Sequence, residues 1–89
     1  MNDFPIRAPE QLIPLFSAFR KRAGLTQAEL ARRIGVGQQT VSQLERNPDK
    51  ATLERLLRAF AALDVELVLR SKQAVPADAL SSPAKKEHW

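Results

Sequence analysis

Residues 38–43 crowd together four side chains that hydrogen-bond without carrying charge: Gln38, Gln39, Ser42 and Gln43. At helical spacing they stand on one side of the segment while Val41 and Leu44 take the other. A glutamine amide can pair with adenine N6 and N7 through two hydrogen bonds, and a serine hydroxyl can meet any base edge. The chemistry this points to is reading a DNA major groove. A face built only for solvent usually carries Lys and Glu at i,i+4 spacing, and this one lacks that pattern. Around it lie the candidates for phosphate oxygens: Gln27, Thr40, Arg46, Asn47 and Lys50. Gln27 opens a helix, where free backbone N–H groups favour an anion, and the last three follow the reading segment in a loop. Arg20, Lys21, Arg22, Arg32 and Arg33 are ambiguous between phosphate contact and solvated charge, with solvated charge the reading for most of the five.

Such side chains must be held by helices, and the sequence marks where these begin and end. A first helix is expected over Pro9–Ala23, with Leu12, Phe16 and Phe19 on one face, Pro14 as an awkward residue near its start, and Gly24 as a left-handed stop. The clearest start signal is Thr26 followed by Glu29, a capping box, with Leu25 and Leu30 at the spacing of a hydrophobic staple. That second helix ends at Ile34–Gly35. After the turn Gly35-Val36-Gly37, the third helix runs to Arg46, with Val36 and Val41 again at staple spacing, and ends before Pro48. Two short helices joined by a glycine-containing turn describe a helix-turn-helix. A fourth helix, capped by Asp49, displays Leu53, Leu56, Leu57, Phe60 and Leu63.

The last ordered segment, Val65-Glu66-Leu67-Val68-Leu69-Arg70, is β-branched and partly alternating, and it reads as a lone strand. Its backbone groups need partners, and Phe4-Pro5-Ile6-Arg7 is a poor one because of Pro5. The same strand from a second copy, antiparallel across a two-fold axis, is the simplest solution, with Val65, Leu67, Val68 and Leu69 as its residues. The alternative is an extension packed on the chain's own core. Organisation then follows: an irregular N-terminal arm over 1–8, a DNA-binding and dimerisation domain over 9–70, and a flexible polar tail over 71–89.

Composition narrows the function classes. The chain has 89 residues, 14 Lys+Arg against 10 Asp+Glu, a formal net charge of +4, one His and no Cys. A chain of this size buries only about 60% of its unfolded surface and gains from a partner. Without cysteine, disulfides, thiolate metal sites and cysteine nucleophiles are excluded, and the single histidine, His88, excludes a multi-histidine metal site. No nucleophile–base pair, phosphate loop or ligand cluster is present, so the reading is a non-enzyme with no catalytic residues, metal or cofactor. No apolar run reaches the roughly 18 residues of a membrane span, and no signal pattern opens the chain, so the expected location is cytoplasmic, beside the nucleoid when bound to DNA.

The stretches Leu25-Thr26-Gln27-Ala28-Glu29-Leu30-Ala31, Ile34-Gly35-Val36 and Gln38-Gln39-Thr40-Val41-Ser42-Gln43-Leu44-Glu45 resemble the lambda-repressor-like (Xre) helix-turn-helix family, and Gln38, Gln39 and Gln43 are similar to the base-reading glutamines of lambdoid phage repressors. The resemblance implies an all-α fold, a bundle of four helices, completed by a C-terminal β-strand pairing across a homodimer. The wider order over residues 9–72, with Pro9-Glu10-Gln11-Leu12, Asn47-Pro48-Asp49 and Thr52-Leu53, is similar to that of the HipB-type antitoxins. That implies a homodimeric repressor of its own operon that binds palindromic double-stranded DNA and neutralises a HipA-like kinase toxin. In such antitoxins the tail is thought to contact the toxin, which Trp89 would do here. The alternative is a free-standing Xre regulator of the phage-repressor or restriction–modification-controller type.

Overall fold

Four α-helices form the framework of the chain in a computed structural model that describes residues 3–76. They are α1 (Leu12–Arg22), α2 (Gln27–Ile34), α3 (Gln38–Arg46) and α4 (Leu53–Ala62), with short 3-10 turns at Pro9–Gln11 and Pro48–Lys50. No strand occurs among the described residues.

The expected first helix divides in two. Pro9 opens a 3-10 turn, and the Gln11 side chain folds back so that its Oε1 accepts from the Arg7 and Ala8 N–H groups at 2.6 and 2.8 Å. The α-helix proper begins only at Leu12. Pro14 falls in its first turn, where an N–H has no intrahelical acceptor to lose, so the proline is tolerated. At the other end Gly24 adopts φ +75°, the Leu25 N–H reaches the Arg20 carbonyl at 3.2 Å and the Gly24 N–H reaches that of Lys21 at 3.0 Å. Those two bonds form a Schellman motif, which satisfies carbonyls the helix end would orphan.

The start of α2 is the capping box expected. Thr26 Oγ1 accepts from the Glu29 N–H at 3.0 Å, and Glu29 Oε1 accepts from the Thr26 N–H at 2.8 Å. The Thr26 N–H first, and the Thr26 hydroxyl beside it, stabilise the carboxylate and hold the Glu29 carboxyl below its usual pKa, helped by Arg32 and Arg33. The helix ends as α1 does, with Gly35 at φ +75° and the Val36 N–H on the Ala31 carbonyl at 3.0 Å. Both staples have their inner residue in the core, since Leu30 and Val41 are fully buried while Leu25 and Val36 pack half-buried against it.

Asp49 does not cap α4. It sits inside the Pro48–Lys50 turn, after which Ala51 is extended, so the helix can start only one residue later. Thr52 takes the role instead, its Oγ1 accepting from the Arg55 N–H at 3.1 Å. The leucine stripe also divides: Phe60 and Leu63 are buried and Leu56 half-buried, whereas Leu53 and Leu57 remain 60% and 42% exposed. Asp64 closes α4 in the left-handed region at φ +60°, with the Val65 N–H on the Phe60 carbonyl at 2.8 Å.

The core lies where the helices converge. Phe16 of α1, Leu30 of α2 and Val41 of α3 are fully buried, with Phe60 of α4 and Leu63 just beyond it. The Phe16 and Phe60 rings meet at 5.9 Å between centroids, tilted by 45°. Residues 65–70 run on without regular structure. Only Val65 packs against the core, and among the described residues no backbone hydrogen bond joins 65–70 to 4–7. The arm is tied down by other means, Phe4 standing edge-on to Phe19 at 5.9 Å and Asp3 pairing with Arg70 at 3.1 Å. No described helix is long and apolar enough to cross a membrane.

Candidate nucleic-acid interface

The glycine turn between α2 and α3 is short because Gly35 reverses the chain at once, and Val36 pins the entry to α3 through its contact with the core. Gly37 then occupies the N-cap of α3 and offers no side chain to the first N–H groups. The face of α3 turned from the core follows. Gln38, Gln39 and Gln43 are exposed and Ser42 is half-buried, while Val41, Leu44 and Glu45 are buried behind them. Three amides are therefore presented together on a helix held rigidly from its opposite side. Such a helix has the diameter, about 10–12 Å with side chains, to enter a major groove about 12 Å wide.

An open groove of about 580 Å³ runs between α3 and the start of α4. It gathers five of the residues singled out from the sequence, Gln39, Thr40, Gln43, Asn47 and Lys50, and adds Thr52, Glu54 and Arg55 from the other wall. Gln38, Ser42, Arg46 and Gln27 lie outside it. Arg46, Asn47 and Lys50 are exposed, whereas Thr40 is half-buried. Amides and cations thus share one surface, the combination that base edges flanked by phosphates require.

Gln27 is half-buried, and its Nε2 donates to Glu45 Oε1 at 3.3 Å. One amide N–H is committed inside the protein, which leaves the other for an external acceptor.

Arg20 departs from its reading as solvated charge. Its Nε and Nη2 both donate to the Glu45 carboxylate, and its Nη1 donates to the Leu25 carbonyl at 2.9 Å. The two side chains retain only 13% and 9% of their exposure. This cluster joins α1, the loop before α2 and the end of α3. Half of the signal was present, since Glu45 follows Val41 and Leu44 at i+4 and i+1 on the helix face that turns inward, although nothing in the sequence names its partner. A carboxylate there requires a cation. Arg22 also departs: it lies over the Phe19 ring at 5.5 Å, and its Nη2 donates to the Leu63 carbonyl at 3.4 Å. Lys21, Arg32 and Arg33 are exposed, as read. His88 and Trp89 lie outside the described residues.

Comparison with known proteins adds to this geometry. The helix-turn-helix family HTH_3 matches residues 17–69. The antitoxin HipB of Escherichia coli (strain K12) is 38% identical over 72 residues, which span 80% of this chain and 82% of that protein. The solved complex of a HipB variant with an O2 20mer is similar in fold at a TM-score of 0.73 and 35% identity, over 81% of this chain and 100% of that one. The solved HipA–HipB–O2–O3 complex is similar at a TM-score of 0.72 and 34% identity, over 80% and 100% of the two chains.

Proposed function

The chain belongs to the helix-turn-helix family and is a relative of the HipB antitoxins within it, and from that premise we propose that it is a DNA-binding repressor and the antitoxin of a HipBA-type pair. It binds double-stranded operator DNA through α3, represses its own operon and neutralises a HipA-like kinase. The observation that carries the reading is the amide face of Gln38, Gln39 and Gln43, exposed on a helix whose other side is locked into the core. Extensive similarity to HipB over 82% of that protein favours the antitoxin over a free-standing regulator.

Within this reading Gln38, Gln39, Ser42 and Gln43 contact base edges, and Gln27, Thr40, Arg46, Asn47 and Lys50 contact phosphates. The working unit is a homodimer whose 65–70 segments pair as antiparallel strands. Leu67, Val68 and Leu69 are 46%, 65% and 92% exposed in the single chain, which supports a partner for that segment. Two α3 helices then address half-sites about 34 Å apart on one face of a palindrome. Trp89 is assigned to the toxin by its likeness to the tails of such antitoxins. The protein acts in the cytoplasm, where its operator lies, and the similar HipB proteins are antitoxins by name.

A gel-shift against the DNA upstream of its own gene, at physiological salt, tests the reading. Gln39→Ala is expected to weaken binding by about 1–3 kcal/mol and to relax preference at one base position. Lys50→Ala is expected to weaken all sequences alike and to flatten the salt dependence. If both variants lose affinity uniformly, the division into readers and positioners is wrong. Co-purification with the product of a neighbouring gene separates the antitoxin from a free-standing regulator.

A further inference from the structure

We propose that Arg55, on α4 and beyond the helix-turn-helix itself, contacts a DNA backbone phosphate and extends the nucleic-acid surface to a further element. The inference rests on α3 being the recognition helix. Arg55 stands on the wall of the groove opposite Gln39 and Gln43, with Lys50 at the connecting turn. A recognition helix fills most of the width of a major groove, so an element packed beside it meets the sugar–phosphate ridge rather than base edges. The start of α4 faces α3 across that groove, joined to it by the Pro48–Lys50 turn and held in place by its packing on α2.

The local chemistry suits a phosphate. Arg55 is exposed and takes part in no ion pair among the described residues. Its main chain is fixed, because its own N–H is the group that Thr52 Oγ1 accepts at 3.1 Å. The guanidinium therefore projects from an anchored point and presents a fork of donors that matches two phosphate oxygens. The groove also holds one carboxylate, Glu54, which would oppose an anion. It is turned to Arg58 at 3.2 Å, one helical turn on, and that exposed pair moderates its charge without removing it.

The experiment uses the full chain and two duplexes of equal length, one from the region upstream of its gene and one of scrambled sequence, across a series of salt concentrations. Arg55→Gln is expected to weaken binding at least about tenfold on both duplexes and to lower the salt slope by about 1.8, the loss of one phosphate contact from each protomer of the dimer. Lys21→Gln removes the same charge from α1, outside the groove, and is expected to change affinity by less than about twofold. Glu54→Gln is expected to move affinity the other way and tighten both complexes, a result that misfolding would not produce. Matching melting curves for the variants keep the comparison one of binding. If the wild type binds neither duplex, the DNA-binding reading fails and Arg55 with it. If the wild type binds and Arg55→Gln equals Lys21→Gln, only the Arg55 assignment is overturned. A loss confined to the upstream duplex would make Arg55 a base reader and equally overturn the phosphate contact.

Discussion

Glu45 shows how one residue joins folding to function. It is the buried charged residue among those described, and it sits at the end of the helix whose other face carries the amides. Its carboxylate receives Arg20 from α1 and Gln27 from the first turn of α2, so the same group fixes the pose of a candidate phosphate contact. Removing one partner of a buried pair leaves the other charge stranded, and Glu45→Ala is expected to lower stability by about 3–5 kcal/mol in urea unfolding with an unchanged slope. Replacing both residues, as Arg20→Met with Glu45→Leu, removes the stranded charge as well, and the double variant should be less destabilised than the two single losses added together. Additive losses would mean that the pair contributes nothing as a pair. At this scale the amide face was legible from residue types alone. The ion pair was not, because a list of charges does not say which of five nearby arginines and lysines turns inward.

Single helices owe their limits to caps, and most of these are local enough to read directly. The Thr26–Glu29 box and the stops at Gly24 and Gly35 involve residues within a turn of one another. Gly35 has open space where a β-carbon would stand, so Gly35→Ala meets no clash. Its cost is the left-handed backbone alone, about 1–2 kcal/mol in thermal or urea unfolding. A much larger loss would mean that the turn between α2 and α3 had itself rearranged. The box also makes α2 sensitive to acid. Because the carboxyl of Glu29 titrates below its unfolded value when folded, its contribution is fully present above about pH 4.3 and fades as pH falls through the folded value. Glu29→Gln keeps a side-chain acceptor for the Thr26 N–H but cannot titrate, so the gap between its melting midpoint and that of the wild type should narrow as pH drops below that window. A gap that stays constant from pH 6 to 3 would rule this out. The misplaced cap of α4 has an equally local cause. Asp49 is a good cap by type, yet Pro48 draws it into a 3-10 turn, and the helix waits for Thr52.

For the molecule as a whole, the apolar surface left uncovered is what matters. Leu53 and Leu57 on α4 and Leu67, Val68 and Leu69 beyond it are exposed, although helical spacing alone would bury the first two with Phe60. A chain of 89 residues has little core to spare, and a second copy covering this surface would add to it. The dimer reading therefore predicts a melting midpoint that rises with protein concentration. Val68→Lys should remove that dependence and halve the mass seen by sedimentation at micromolar concentration. A wild-type chain that sediments as a monomer there would end the dimer reading.

The caps, staples and glycines, with the run of amides at 38–43, were enough by themselves to determine the helix-turn-helix and its amide face, whereas the length and +4 charge only bounded the function classes. Each of those signals acts between residues no more than five apart, so the linear order contains it. The tertiary structure alone decided the rest. Arg20 meets Glu45 across 25 residues of sequence, and the groove that brings Gln39, Lys50 and Arg55 together exists because α3 and α4 both pack on α2 and are joined by the Pro48–Lys50 turn. Which leucines of α4 lie inside depends in the same way on how its axis settles on the other helices, a balance of packing among distant side chains that helical periodicity does not contain.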